Sequence, residues 1–323
     1  MRTMRSPHEL PRSLSRRDWL ATGLFGSLAL AAGSQASAAA SPAESPAERP
    51  ISSDPLTRKK EAKLRLSSWW LPVPGDIDAQ LAFLEKAGME GVELRGGVLK
   101  EPAKYKTALA KTKLVATALD WSNCSAICSD DETAKKKSLD DLKRAIEIAH
   151  DFKAPNIIIV PPRLKSQFRT PEARAARQTM LEVLPKYGEL AHQAGTCLTI
   201  EPVSRNSVVC LHTVAEVAAF CRELNSPGIG IVADYSIMAQ EETNLSGAFI
   251  SGGSYIRQVH LSSRRRRLPG QESEDTRLYA EGFRGMKAIG YQNFCSFESG
   301  MFSGFCENLA ASVAFLRQQW DLA

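Results

Sequence analysis

The sequence predicts a single folded domain of the α/β class, a (β/α)8 barrel. From residue 64 onward, short apolar runs alternate with amphipathic stretches without interruption, giving eight such pairs. The runs are apolar on both faces, as strands of a parallel sheet buried under helices require. The chain has 323 residues and 43% hydrophobic residues, so it can bury a barrel core, which needs roughly 250 residues. Eight repeated units favour a barrel over a doubly wound sheet.

The eight predicted strands are short, apolar and bounded by turn residues. In chain order they are LRLSSWW (64–70), GVELR (91–95), LVATALD (114–120), NIIIVPP (156–162), CLTIE (197–201), IGIVAD (229–234), IRQVH (256–260) and NFCSFE (293–298).

Amphipathic periodicity predicts a helix after each strand. The predicted helices cover about 76–87, 101–111, 132–151, 171–194, 213–224, 240–252, 275–289 and 304–319. Capping and turn residues mark their ends. The predicted starts are Asp76, Ser129, Thr170 with Pro171, and Thr213, and the predicted stops are Gly88, Gly195 and Gly290.

Residues 1–38 are predicted to be a twin-arginine signal peptide rather than part of the fold. SRRDWL (15–20) resembles the twin-arginine motif, an apolar stretch (20–33) follows it, and Ala-Ser-Ala (36–38) suits a signal peptidase. A chance arginine pair on an exposed tail is the alternative. The apolar stretch is too short to cross a bilayer, which needs about 20 residues. We expect a periplasmic or secreted protein with no stable membrane insertion after the signal is removed.

The rest of the chain divides into a linker and the barrel. Residues 39–62 include the Pro/Ala/Ser/Glu-rich tract SPAESPAERP (41–50) and are predicted to be a disordered linker, and 63–323 form the barrel domain. The formal net charge is +5, of which residues 1–38 contribute five Arg against Glu9 and Asp18. The remainder is nearly neutral, which gives no argument for binding nucleic acid or membranes.

Four polar side chains stand at the carboxyl ends of the last four predicted strands: Glu201, Asp234, His260 and Glu298. Taken singly, such a residue is most often an ordinary loop or capping residue. In a (β/α)8 barrel, however, the carboxyl ends of the strands form the active-site face, so these four can converge. Three carboxylates this close repel one another unless a cation balances them. We predict a divalent metal site. One nitrogen among oxygen ligands favours Mn²⁺, Mg²⁺ or Co²⁺, and Zn²⁺ also fits.

These motifs resemble the sugar phosphate isomerase/epimerase family, whose fold is the xylose isomerase-like TIM barrel and which includes ketose 3-epimerases and inosose dehydratases. The resemblance covers residues from about 64 to 319. Its strongest pieces are GVELR, IEPVSR, the Asp of VADYSIM, VHLSSRRRRLPG and GYQNFCSFE.

The resemblance implies functional roles for particular residues. The four metal ligands of the family fall on Glu201, Asp234, His260 and Glu298. In the epimerases, the two glutamates also move protons on opposite faces of the carbon next to a carbonyl, through an enediolate. Arg266 matches a family arginine that contacts substrate oxygens.

Two positions depart from the epimerase pattern. Known epimerases usually carry a His three residues after the Asp of the sixth strand, where this chain has Ile237. They also carry a substrate-contacting Glu six residues beyond the Glu of the fifth strand, where this chain has Ser207. The reaction type is therefore better predicted than the substrate.

Further residues are candidates for the substrate pocket. The run RRRR (264–267) is either a solvated basic loop or an element that binds an acidic substrate. The substrates we expect are an acidic sugar such as a uronate, or a neutral glycoside. Trp69 or Trp70 could stack on a sugar face or pack in the core. Glu93 and Arg95 could form a buried ion pair or part of the pocket wall.

The remaining chemistry-bearing residues carry weaker signals. Seven cysteines are an odd number, and most read as small core residues; Cys124 and Cys128 form the one close pair and could form a disulfide in an oxidising compartment. Apart from His8 in the predicted signal, the other histidines are His150, His192 and His212, which flank or end helical patterns. A DNA repair endonuclease on the same fold needs several more histidines for its three-zinc cluster, so that function is not expected.

The sequence thus predicts an exported, metal-dependent sugar isomerase or epimerase. One alternative is a metal-dependent lyase, dehydratase or hydrolase acting on a keto-sugar or keto-glycoside, because the same enolate chemistry expels a leaving group on the β carbon. Another is a carbohydrate-binding barrel without catalytic activity. The expected partner is a small sugar or sugar derivative, and a homo-oligomer is compatible with the sequence.

Overall fold

The computed structural model describes residues 62–69, 73, 75–121, 124–163, 169–299 and 304–323. All of them belong to one compact unit, Ser53–Ala323. The predicted signal peptide (1–38), nearly all of the predicted linker (39–62) and Trp70 lie outside the described residues. No helix within the described ranges combines the length and the apolar character needed to cross a membrane.

Eight parallel strands close into a barrel in chain order, with the first strand paired to the last. The strands are β1 (Arg65–Trp69), β2 (Gly91–Leu94), β3 (Val115–Asp120), β4 (Ile157–Ile159), β5 (Leu198–Ile200), β6 (Ile229–Asp234), β7 (Ile256–Leu261) and β8 (Phe294–Phe297). Every one lies within a residue or so of a predicted run, except that β4 ends three residues early, at Ile159. The Pro-Pro pair that follows cannot donate ladder hydrogen bonds. The predicted (β/α)8 fold is confirmed.

Helices cover the outside of the barrel. In the described part of the chain they are α1 (Ile77–Lys86), α2 (Pro102–Leu109), α3 (Cys124–Ile127), α4 (Glu132–Phe152), α5 (Arg169–Gln193), α6 (Val214–Leu224), α7 (Tyr235–Glu241), α8 (Leu245–Gly252), α9 (Asp275–Ala288) and α10 (Phe305–Leu322). Short 3₁₀ helices occupy Gly96–Leu99 and Gly253–Tyr255.

Three helix predictions need correction. The single helix predicted over 240–252 is two helices, because Asp234 caps α7 directly at the end of β6 and Asn244 caps α8 separately. Ser129 does not start α4; its hydroxyl accepts from the backbone of Asp131, which is the N-cap. Helix α5 begins at Arg169, ahead of the predicted Thr170-Pro171 start.

The core divides into two parts. The large hydrophobic cluster lies between the strands and the helices, whereas Ala118, Ile158 and Val232 form a separate small cluster. The strand registers place these three inside the barrel, because Ile158 pairs with Asp120 and Val232 pairs with Gln258. Other buried strand residues nearby are polar, namely Ser67, Glu93, Thr117, Asn156, Thr199, Gln258 and Ser296. Barrel interiors are usually filled by branched apolar residues, so this polar interior is a specific feature of the chain.

Candidate metal centre and active site

The four predicted ligands meet at the carboxyl end of the barrel. Each of Glu201, Asp234, His260 and Glu298 offers one ligand atom, and these atoms all lie within 4.8 Å of one another. The Nδ1 atom of His260 lies 2.8 Å from Oε2 of Glu298, 2.9 Å from Oε1 of Glu201 and 3.8 Å from Oδ2 of Asp234. The structure therefore brings together the four strand ends that the sequence singled out.

The backbone of the barrel fixes the two glutamates just beyond their strands. The amide of Glu201 donates to the carbonyl of Ile159 at 2.9 Å, and that of Glu298 donates to the carbonyl of Leu261 at 3.0 Å. Both bonds continue the sheet ladder past the assigned strand ends. Each side chain is thus carried by ordered sheet backbone rather than by a free loop.

Asp234 is held by a different device. It is the last residue of β6 and also the N-cap of α7, where Oδ1 accepts a hydrogen bond from the backbone N–H of Ile237 at 2.8 Å. Satisfying that first-turn donor fixes the carboxylate plane. Oδ2 is left pointing at the other ligands. The sequence departure at Ile237 therefore lies in the first turn of the helix that Asp234 caps, and Ile237 itself is buried.

The basic run 264–267 sends one arginine inward. Nη1 of Arg266 lies 2.7 Å from Oδ2 of Asp234 and 2.5 Å from Oε2 of Glu298. Arg264 and Arg267 instead lie near the outer acidic residues Glu274 and Glu272. Arg266 reaches inward from a left-handed backbone conformation, with φ of +63°. The run is therefore both a surface loop and, at one position, part of the site.

The electrostatics of the cluster show an excess of negative charge. The pKa of Asp234 is raised to about 7, because burial outweighs the lowering effect of Arg266 and the other carboxylates add to it. Burial, then the charge of Glu298, raises the pKa of Glu201. Burial would also raise the pKa of Glu298, but the charges of His260 and Arg266 outweigh it and lower that pKa. A divalent cation bound between these carboxyl groups would lower both raised pKa values, because it stabilises the ionised forms.

The donor set fits a divalent metal. Three carboxylate oxygens and one imidazole nitrogen approach one point, and the ligand residues are buried or nearly so. Oxygen-rich sites with one nitrogen suit Mn²⁺, Mg²⁺ and Co²⁺, while Zn²⁺ accepts the same ligands. The histidine also fits this use. Its Nδ1 faces the carboxylates of the quartet, and its other ring nitrogen, Nε2, lies 3.1 Å from a carboxylate oxygen of Glu93.

A cavity of about 300 Å³ opens on the cluster. That volume is at the lower end for ligand pockets and suits a molecule the size of one sugar. Its lining includes three of the quartet, Glu201, His260 and Glu298. Its other polar or aromatic lining residues are Trp69, Arg95, Asp120 and Arg163. The guanidinium of Arg95 lies over the Trp69 ring at 3.9 Å and 3.9 Å from a carboxylate oxygen of Asp120.

The predicted pocket residues have separate outcomes. Trp69 and Arg95 line the cavity. Glu93 is fully buried and is not among the residues that line the cavity; its carboxylate lies against His260 instead. Ser207 is exposed. Sequence reasoning missed Asp120 and Arg163, although Asp120 ends β3 and so carries the same strand-end signal as the metal quartet.

A larger cleft and the cysteines lie apart from this site. A larger cleft of about 630 Å³ lies near the amino ends of β1, β5 and β8, lined by residues such as Arg65, Cys197 and Phe294, and none of its described lining residues is a carboxylate. We assign the site by its chemistry rather than by size. All seven cysteines fall within the described residues and none of them forms a disulfide, so Cys124 and Cys128 are not bridged in the structure.

Fold and site together define a (β/α)8-barrel protein with a candidate metal centre at its carboxyl-terminal mouth. Residues 81–319 match the xylose isomerase-like TIM barrel family. The chain belongs to that family, as the sequence motifs predicted.

Relatives with assigned activities are sugar epimerases. The chain is 25% identical over 243 residues to a ketose 3-epimerase of Arthrobacter globiformis, covering 73% of this chain and 83% of that protein. It is 22% identical over 232 residues to 3-dehydro-D-guloside 4-epimerase of Escherichia coli (strain K12), covering 70% and 87%. These relatives confirm the prediction of an isomerase- or epimerase-type enzyme.

Solved structures show the same fold. The apo form of 3-keto-D-glucoside 4-epimerase from E. coli matches with a TM-score of 0.71 at 21% identity, covering 79% of this chain and 100% of that chain. D-allulose 3-epimerase from Methylomonas sp., in complex with D-allulose, matches with a TM-score of 0.71 at 20% identity, covering 80% and 98%.

Proposed function

We propose that this protein is a divalent-metal-dependent sugar isomerase or epimerase that abstracts a proton next to a carbonyl. The observation that carries the proposal is the convergence of two glutamates, one aspartate and one histidine on a sugar-sized cavity. Mn²⁺, Mg²⁺ or Co²⁺ is favoured, with Zn²⁺ as a further candidate. When bound, the metal would polarise substrate oxygens beside the reacting carbon.

The two glutamates are the proposed proton carriers. Glu201 follows β5 and Glu298 follows β8, so they enter the cavity from different parts of the barrel rim. A proton taken from one face of a carbon by one carboxylate and returned to the other face by the second inverts that carbon through an enediolate. Asp234 and His260 serve chiefly as ligands. Arg266, between Asp234 and Glu298, is placed to contact substrate oxygens and to balance negative charge.

The proposed substrate is a keto sugar or a glycoside of an oxidised sugar, as for the ketose 3-epimerase and the 3-dehydro-D-guloside 4-epimerase that the chain resembles. Trp69 offers an aromatic face at the cavity wall for stacking on a sugar ring. Arg95 and Arg163 also line the cavity and carry guanidinium groups, so sugars that carry a carboxylate, such as keto-uronates, belong in a substrate panel with neutral ketoses.

The decisive experiment is solvent deuterium incorporation into a panel of keto sugars by metal-loaded protein. We expect one deuteron at an epimerised carbon with the wild type, and none with Glu201→Gln or Glu298→Gln. Ser67→Ala, a buried change in the barrel interior, is the matched control and should retain exchange. Full metal occupancy without exchange into any sugar would contradict catalysis and favour a carbohydrate-binding barrel.

A metal-dependent lyase, dehydratase or hydrolase is the second candidate. The observation that favours it is the pair of departures from the epimerase pattern. Ile237 is buried and apolar, and Ser207 is exposed, so neither position supplies the substrate contact expected of a ketose epimerase. Mass spectrometry of the products separates the candidates, because elimination changes the mass of the sugar whereas epimerisation does not.

Export by the twin-arginine system is a separate proposal supported by SRRDWL (15–20) and the segments that follow it. The test is fractionation of cells that express the full chain, with Arg16→Lys/Arg17→Lys as the variant. We expect mature protein in the periplasm or medium for the wild type and precursor in the cytoplasm for the variant. Equal distribution would contradict the proposal.

A further inference from the structure

A chain of hydrogen-bonded side chains crosses the barrel interior and ends on the imidazole of the metal centre. Nδ2 of Asn156 donates to Oε1 of Gln258 at 3.3 Å, and Nε2 of Gln258 donates to Oε1 of Glu93 at 2.6 Å. The same Glu93 oxygen lies 3.1 Å from Nε2 of His260. All four residues are 3% exposed or less, so bulk water does not compete for these bonds.

The partners of each side chain determine which atom donates and which accepts in this series of hydrogen bonds. Nδ2 of Asn156 also lies 3.1 Å from the carbonyl oxygen of Thr117, which can only accept, so the amide nitrogen of Asn156 faces this cluster. Gln258 must therefore turn its oxygen to Asn156 and its nitrogen to Glu93. A carboxylate oxygen only accepts, so Nε2 of His260 must carry a proton.

The consequence falls on the other ring nitrogen. Nδ1 of His260 faces Glu201 and Glu298, the two carboxylates of the quartet that approach it most closely. A neutral imidazole has one protonated and one unprotonated nitrogen. In the metal-free protein the rule that a carboxylate oxygen only accepts places a proton on Nδ1 as well, toward Glu201 or Glu298. A cation that binds there displaces the Nδ1 proton and takes that lone pair, while the proton facing Glu93 stays on Nε2.

We propose that Glu93 is a positioning residue for the metal centre, held in place by Gln258. It keeps the proton of His260 on Nε2, and so orients the ring with Nδ1 toward the ligand cluster. Metal-binding histidines that donate to a carboxylate in this way are better ordered and more basic ligands. The inference deepens the proposed function and rests on it, since it assigns Glu93 a part in metal binding rather than in contact with the substrate.

A second observation separates this role from simple core stability. The other carboxylate oxygen of Glu93, Oε2, is buried and has no hydrogen-bond partner among the described residues. A buried carboxylate with one unsatisfied oxygen costs stability. Glu93→Gln keeps the shape and an acceptor oxygen but removes the charge, so it should leave the free energy of unfolding of the metal-free protein unchanged or higher.

The first test is calorimetric titration of the full chain with Mn²⁺. Loss of the carboxylate charge should weaken Mn²⁺ binding 10- to 100-fold in Glu93→Gln, as roughly expected for a ligand-orienting carboxylate. Ser67→Ala is the control, because it removes a buried contact of 2.8 Å with Thr117 Oγ1 in the same interior without touching the four-residue chain. Mn²⁺ binding by Glu93→Gln within twofold of the wild type would overturn the proposal.

The second test reads the proton itself. Protein labelled with ¹⁵N-histidine and loaded with diamagnetic Mg²⁺ or Zn²⁺ should show His260 protonated at Nε2 and hydrogen-bonded. In Glu93→Leu the Nε2 proton should lose its hydrogen bond, which moves its resonance upfield and speeds its exchange with water. A proton on Nδ1 in the metal-loaded wild type would overturn the proposal. If the wild type binds no metal, the proposed function fails separately. Glu93 can then still be judged in the metal-free protein, where an unprotonated Nε2 would contradict its role.

Discussion

At the scale of single residues, Arg266 has a left-handed backbone conformation and contacts two of the predicted metal ligands. Its φ of +63° places a side chain with a Cβ in the left-handed region, which costs roughly 1–2 kcal/mol. From that conformation its guanidinium reaches both Asp234 and Glu298. The backbone strain is therefore tied to a position that the site uses.

Replacing Arg266 in two ways separates the strain from the charge. Arg266→Gly and Arg266→Ala both remove the guanidinium, so both should lower turnover of an identified keto sugar to a similar degree. Only glycine adopts φ of +63° without strain, so Arg266→Ala should have a free energy of unfolding about 1 kcal/mol lower than Arg266→Gly. Urea denaturation measures the difference. Equal stability of the two variants would show that the loop relaxes.

Two substitutions of Asp234 likewise separate its role as the N-cap of α7 from its role as a metal ligand. Asp234→Asn retains an oxygen that can accept from the N–H of Ile237, whereas Asp234→Ala does not. We expect both variants to lose Mn²⁺ binding in calorimetric titration. In thermal or urea denaturation of the metal-free protein, Asp234→Ala should be about 1 kcal/mol less stable than Asp234→Asn. A substitution pair with equal stability would mean that the cap contributes little.

The metal quartet could be predicted from the sequence, whereas its supporting contacts could not. A polar residue at the end of an apolar run is visible in the sequence, and a barrel requires strand ends to converge. The contact of Glu93 with His260 joins residues 167 positions apart and depends on how the closed sheet aligns. The inward course of Arg266, and not of its three arginine neighbours, depends on one backbone dihedral angle.

At the scale of elements, strands were easier to predict than helix boundaries. Buried parallel strands are short and apolar, and their limits are sharp. The region after β6 was predicted less well, because α7 starts directly after the last residue of β6 and its first turn, YSIM, is buried. A helix buried on several sides lacks the amphipathic period that marks a surface helix. The prediction therefore found only its end and merged it with α8.

The break between α7 and α8 depends on Asn244, whose side chain accepts from the N–H of Gly247 at 2.6 Å. Asn244→Ala should lower the free energy of unfolding by about 1 kcal/mol, because the first turn of α8 loses its cap. Asn244→Asp keeps the acceptor and is the control. Differential scanning calorimetry compares the three proteins. A melting temperature for Asn244→Ala equal to that of the wild type would contradict the capping role.

At the scale of the whole molecule, the four ligands link metal binding to the stability of the barrel. A metal that binds only the folded chain should stabilise it by about 2.7 kcal/mol at a concentration 100 times its dissociation constant. We expect Mn²⁺ to raise the melting temperature of the wild type and EDTA to reverse the rise. Asp234→Asn should show no shift. An equal shift in that variant would place the stabilising ion elsewhere.

The site draws on strands from both ends of the sequence, so it cannot form until nearly all of the chain has been synthesised. Glu93 is on the second strand, Gln258 lies 165 residues later, and Glu298 follows the eighth strand. No nascent chain that still lacks its last two strands can hold the imidazole and complete the ligand set. Metal capture by this protein is therefore an event of the finished polypeptide, and a ribosome-bound chain stalled before residue 256 should bind Mn²⁺ no better than an unfolded one.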